Sequence, residues 1–106
     1  MISFTERQRD TIVETVNMYQ EKQLMICVEE MAELMQAISK INRADTSDDE
    51  AMKCCTYKII EEMADVYIML EQMQYFFGIN HRTIEQFIND KLIRQEQRNK
   101  KAQTRK

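Results

Sequence analysis

Glu29-Glu30-Met31-Ala32-Glu33 and Glu61-Glu62-Met63-Ala64-Asp65 are near-duplicates, and each sits inside a run of apolar, helix-forming residues. A helix turns about 100° per residue, so carboxylates three positions apart stand on one face, about 4.5 Å apart along the axis. Two such helices laid face to face can surround a hard cation. The pair of phrases therefore predicts an α-helical fold with an active site inside it.

Composition agrees. The 106 residues include one Gly and no Pro, and 43% are apolar. With so few residues suited to tight turns or positive φ, one all-α domain over residues 1–106 is expected. Its core would be modest, and oligomerisation would enlarge it. The formal net charge of −3 is uneven: residues 89–106 hold seven Lys/Arg against two acidic side chains, which leaves about −8 on the remainder. An acidic body suits a metal site better than a nucleic-acid surface. Cys27, Cys54 and Cys55 form no CxxC pair, and His81 is the only histidine. They read as free thiols in a reducing compartment. Glu6, Arg7, Arg9 and Asp10 interrupt any N-terminal apolar stretch. No run approaches the roughly 18 residues that span a membrane, so a cytoplasmic protein is expected.

The pattern divides into four helices. Ser3 and Glu6 have capping-box spacing, and Ile12, Val13, Val16 and Tyr19 recur at helical intervals, predicting a first helix over about 4–19. No breaker separates it from a second helix over about 23–41, so tertiary contacts must bend the chain near Tyr19 to Lys22. Asn42 to Glu50 is rich in Asp, Ser and Thr and reads as a loop, with Ser47 and Glu50 again at capping-box spacing. A third helix over about 48–77 is apolar around most of its circumference, which predicts burial on more than one side. Gly78 suits a left-handed C′ position followed by Ile79, and Asn80 can cap a fourth helix. That helix carries a short stripe of Ile84, Phe87, Ile88 and Leu92, and the basic tail from about 96 to 106 is expected to fray.

Helical angles put the carboxylates on the apolar arcs. With Ile26 at zero, Glu30 falls at about 40° between Ala37 and Ile41, and Glu33 lies beside it at about 340°. With Ile59 at zero, Glu62 falls at about 300° between Met69 and Met73, and Asp65 at about 240° beside Phe76. Ionised groups among apolar neighbours must be paired, protonated or bound to metal. Four carboxylates with little positive charge nearby point to an oxygen-loving divalent ion, Mg²⁺ with Mn²⁺ as a substitute, held by Glu30, Glu33, Glu62 and Asp65. A single ExxE string is usually an ordinary charged surface, but the repetition and its apolar setting argue otherwise. A di-iron bundle would need Glu-x-x-His on two helices, and His81 has no Glu three residues before it.

Glu30-x-x-Glu33 and Glu62-x-x-Asp65 resemble the ExxE…ExxD signature of the MazG-like all-α nucleoside triphosphate pyrophosphohydrolases. Gln23-Leu24, Ala37-Ile38-Ser39-Lys40, the run from Glu61 to Val66, and Asn89-x-Lys91-x-x-Arg94 extend the similarity over about residues 20–95. The resemblance implies a MazG-like four-helix bundle that assembles as a dimer or tetramer. It also implies Mg²⁺-dependent cleavage of a nucleoside triphosphate to the monophosphate and pyrophosphate, in nucleotide-pool housekeeping. On that basis Glu30, Glu33, Glu62 and Asp65 would be both metal ligands and catalytic groups. Lys40, Asn89, Lys91 and Arg94 would bind the triphosphate, whose charge an all-acidic site cannot hold alone. Glu29 and Glu61 could orient the attacking water. Gln23, Tyr67, Phe76 and Phe77 could line a base pocket, although aromatic residues at helical spacing are more often core. Two other functions compete: a non-catalytic helical oligomerisation module, and a nucleic-acid binder using the basic tail, which lacks aromatic residues to stack on bases.

Overall fold

The computed structural model describes residues 2–105. It contains four helices, α1 (Glu6–Tyr19), α2 (Lys22–Arg43), α3 (Asp49–Phe77) and α4 (His81–Thr104). This is the all-α, four-helix architecture the sequence predicts. The helix ends show where local chemistry decides. At α1 the cap is Thr5, not Ser3: the Thr5 hydroxyl accepts from the Gln8 amide at 3.1 Å while the Gln8 side chain accepts from the Thr5 amide at 2.9 Å. Two overlapping capping frames compete here, and the reciprocal pair satisfies two free helix donors at once. At α3, Asp48 replaces the expected Ser47, accepting from the Ala51 amide at 3.1 Å. Ser47 turns back instead and donates from its hydroxyl to Asp45 at 2.6 Å. That hydrogen bond, joined by one from the Ser47 amide, holds the Asp45 carboxyl below its usual range.

Gly78 closes α3 as expected, with φ 63° and the Ile79 amide bonded to the Gln74 carbonyl at 2.9 Å. Asn80 then caps α4 by accepting from the Arg82 amide at 2.9 Å. The break between α1 and α2 is made by Gln20, a non-glycine residue at φ 53° and ψ −128°. The basic segment at the end of α4 is helical to Thr104, with Lys100 paired to Glu96 at 3.1 Å. Lys106, the last residue of the expected tail, and Met1 lie outside the described residues.

α2 and α3 form an antiparallel hairpin. The order of cross-helix partners runs in opposite senses: Gln23 donates to Gln72 at 2.8 Å, while Glu30 meets Glu62 and Asp65 further along. Facing α3, Cys27 and Ala37 are buried, and Met69 answers them from α3. Burial also pushes the Cys27 thiol up from its ordinary value. α1 lies across the C-terminal part of α3, burying Ile12 and Val16, and Tyr75 donates its hydroxyl to Asn17 at 3.1 Å. α4 leaves this arrangement, joined to α3 at its start by His81 and Gln74 but without an extended packing face on the other three helices, and the chain has an elongated envelope of 51 × 38 × 24 Å.

The third helix is less covered than its composition predicts. Ile60, Met63, Tyr67 and Leu70 are exposed along it, and α2 exposes Val28, Met31, Met35 and Ile38. On each helix these residues lie roughly 100° to one side of the line of contact, while Glu33 on α2 and Asp65 on α3 lie to the other side. Because α2 and α3 are antiparallel and the acidic groups meet, the two exposed apolar arcs share the opposite side of the hairpin. One side is therefore acidic and the other greasy, and α1 covers only one end of the greasy side.

Candidate metal centre

Burying a carboxylate in a helix pair is tolerable only if something answers its charge. Glu62 is the extreme case, 2% exposed and facing α2 from the middle of α3. Glu30 is half-buried opposite it, and Asp65, one turn along α3, is exposed at the edge. One carboxylate oxygen from each of Glu30, Glu62 and Asp65 lies within 4.8 Å of the others, so the three could hold a metal ion. Oxygen ligands of a small divalent ion stand about 3 to 4 Å from one another, so the three side chains would close inward on an ion held between them. A further observation favours a cation: Glu30 Oε2 and Glu62 Oε2 are completely buried and have no hydrogen-bond partner. Buried oxygens of this kind are rare in folded proteins and call for an ion, a water or a proton.

The charges around the two buried carboxyls pull in opposite directions. Glu30 is raised from its ordinary value by burial, and then by the charges of Glu33, Asp65 and Glu62. Glu62 is lowered, chiefly by a hydrogen bond from Lys58, whose ammonium lies 2.8 Å from Glu62 Oε1. The same contact raises Lys58. Lys58 also approaches Glu61 at 3.8 Å. The sequence pattern suggested little positive charge near the carboxylates, and Lys58 corrects that. It escapes notice because it belongs to neither acidic phrase, and because its four-residue spacing from Glu62, although within reach of a helical ion pair, runs in the less favourable Lys-before-Glu order.

The other expected residues are distributed as follows. Glu33 is exposed on the acidic side, close enough for its charge to act on Glu30, but it is not one of the three whose oxygens converge. Lys40 is exposed two turns beyond it on the same side of α2. Asn89, Lys91 and Arg94 are exposed on α4, the helix that stands off the hairpin, so the chain does not fold them against its own triad. Of the residues considered for a base pocket, Gln23 is buried against Gln72, and Phe76 and Phe77 stack edge to face with centroids 5.1 Å apart. His81 bridges Gln74 at 3.2 Å and Glu85 at 3.0 Å at the start of α4, apart from the triad. All three cysteines are free.

The chain matches no protein-family model, no curated protein and no solved structure. Its fold and its acidic triad therefore stand on their own geometry.

Proposed function

We propose that the triad is the metal centre of a MazG-like, Mg²⁺-dependent nucleoside triphosphate pyrophosphohydrolase, working in a reducing cytoplasm. The observation that carries this is the convergence of Glu30, Glu62 and Asp65 around two buried carboxylate oxygens without partners. The resemblance of the two acidic phrases and of Asn89-x-Lys91-x-x-Arg94 to that family supplies the reaction. Glu30, Glu62 and Asp65 would hold the ion, with Glu33 completing the set from α2; Mn²⁺ suits the same oxygen donors. The chemistry such an ion would supply is neutralisation of charge on the phosphate oxygens.

The remaining steps belong to the chain. Lys58 balances the cluster's charge through Glu62. Glu61 or Glu29, both exposed beside the cluster, orients a water for attack on the α-phosphorus. The new P–O bond forms as the bond to the β-phosphate oxygen breaks, releasing pyrophosphate, and the water's proton passes to a carboxylate. Lys40, Asn89, Lys91 and Arg94 bind the triphosphate. Because α4 has no extended packing face on its own chain's helices, its three residues would reach a triad through assembly of two or more copies, and homo-oligomerisation is part of the proposal.

The test is Glu62→Gln, which preserves shape and removes charge. Mg²⁺-dependent release of pyrophosphate from a panel of nucleoside triphosphates should be lost while helicity by circular dichroism persists. The wild-type chain should also melt at higher temperature with Mg²⁺ and nucleotide than without them. Full Mg²⁺-dependent activity in Glu62→Gln, or a wild-type chain indifferent to both ligands, would refute the assignment.

A further inference from the structure

The two carboxylate oxygens of Glu62 are treated differently. Oε1 accepts from the Lys58 ammonium at 2.8 Å, while Oε2 is completely buried and has no hydrogen-bond partner. Lys58 stands one turn before Glu62 on α3 and Asp65 one turn after it, so the three share a face and the ammonium holds the carboxylate from one end of the column. That ammonium also lies 3.8 Å from Glu61, a second anchor on the same helix. From α2 the groups that act on Glu62 are themselves carboxyls, those of Glu30 and Glu33, which accept and do not donate when ionised. The Glu62 side chain is only 3% exposed, so solvent offers it little alternative.

A carboxylate can give an ion one oxygen or both. Ca²⁺ is large, gathers about six to eight oxygens and readily takes both from one carboxylate, whereas Mg²⁺ demands near-octahedral geometry and fills its remaining positions with water. With Oε1 engaged by Lys58, Glu62 has one oxygen left to give. Resting on the metal centre proposed above, we infer that Lys58 is a positioning residue that makes Glu62 a one-oxygen ligand through Oε2, and so biases the triad toward Mg²⁺ and Mn²⁺ and against Ca²⁺. In this role Lys58 touches neither ion nor substrate. It occupies the oxygen that a larger ion would need. Its charge alone would not have this effect, because an ammonium beside the site repels all divalent ions alike and leaves the ratio of their affinities unchanged. That ratio therefore reads the placement of Lys58 separately from its charge.

The test uses the full-length chain without nucleotide, at neutral pH. Electron paramagnetic resonance of free Mn²⁺ measures its binding, and competition by Mg²⁺ or Ca²⁺ gives their affinities. The wild type should bind Mg²⁺ more tightly than Ca²⁺. Lys58→Met, which keeps the apolar stem and removes the ammonium, should raise Ca²⁺ affinity relative to Mg²⁺ by about tenfold, the scale on which a hydrogen-bond partner of a ligand alters metal affinity. Lys58→Arg restores a donor and should bring the ratio back toward the wild-type value. If both affinities change together in Lys58→Met and their ratio stays fixed, the inference is overturned and Lys58 acts by charge alone. Should Lys58→Met fail to fold, the wild type decides by itself, since Ca²⁺ competing as well as Mg²⁺ overturns the inference. A wild type that binds none of the three ions removes the metal centre and this inference with it, while ions that bind with a ratio indifferent to Lys58 remove the inference alone.

Discussion

On one side of the α2–α3 hairpin three carboxylates crowd together, and only Glu62 among them is bonded to an ammonium, that of Lys58. On the other, eight apolar side chains face outward with no charge among them. Both sides come from the same two helices and the same period of about 3.6 residues, offset by roughly half a turn. Each is incomplete in its own way: the acidic side lacks positive charge, and the apolar side lacks apolar neighbours. A helix pair of this kind leaves two demands unmet by its own residues, positive charge on one side and apolar contact on the other.

The largest effect expected on the acidic side is from Glu62→Gln, which should lower Mg²⁺-dependent hydrolysis by a factor of at least about 100, the scale seen when one electrostatic stabiliser of a transition state is removed. Pyrophosphate release under saturating nucleotide measures it, and a loss under about threefold would mean that Glu62 is only a structural partner of Lys58. Next in size is Lys91→Ala, which should raise KM by about tenfold while leaving kcat near its original value, as removal of a charge-assisted phosphate contact does. Unchanged kinetics would return Lys91 to the solvated face of α4.

Glu30 offers a test in which stability and metal binding move in opposite directions. Its folded-state pKa is raised, so between the ordinary carboxylate value and that raised value the folded chain binds more protons than the unfolded one, and acidification through that window stabilises it. Above the window the charged carboxylate is a cost in the absence of metal. Glu30→Gln should therefore raise the melting temperature of the metal-free chain at neutral pH by a few degrees, and it should abolish the added stability from Mg²⁺. Glu62 has the reverse linkage: held down by Lys58, it contributes stability above the ordinary carboxylate value, and that contribution disappears as pH falls through the lowered value. Mg²⁺ binding should weaken on acidification through Glu30 first, since ligands must be deprotonated. If metal-free Glu30→Gln melts lower than wild type at pH 7, the crowding of carboxylates is not the dominant energy on this side.

The sequence discloses the acidic side better than the apolar one for a physical reason. Carboxylates among apolar residues are rare enough that Glu30 and Glu62 can be placed on inward arcs from angle alone, whereas Glu33 and Asp65, put there by the same angles, are exposed at the edge. The same calculation marks Val28, Met35 and Ile60 only as apolar; whether such residues face a neighbour in the chain or open space depends on how many helices come back to cover them. α3 looked buried on several sides because it is greasy on several sides, yet α4 does not return to it. Helix ends follow similar logic. Gly78 and Asn80 were legible because few residues do what they do, whereas Thr5 and Asp48 won their capping positions against neighbours one or two residues away with nearly the same chemistry. Lys58 was invisible for a simpler reason, since a lysine on an acidic helix is commonplace and only its 2.8 Å contact with a buried carboxylate singles it out.

The smallest expected effect concerns the joint between α1 and α2. At φ 53° and ψ −128°, Gln20 occupies a region open mainly to glycine, and no local signal in the sequence marks the bend. The strain is offset by what it places: α1 turns back to bury Ile12 and Val16 at one end of the apolar side, and the Gln20 amide still bonds the Val16 carbonyl at 2.7 Å. Gln20→Gly should relieve the strain and raise stability by about 1 kcal/mol, after subtracting the greater freedom glycine gives the unfolded chain. Chemical denaturation measures this, and the midpoint should move without a change in slope. The gain should be the same with and without Mg²⁺, because Gln20 belongs to the apolar end and touches none of the carboxylates. A gain that depends on metal would mean that the position of α1 is transmitted through α2 to Glu30, and the two sides of the hairpin would then have to be treated as one coupled unit.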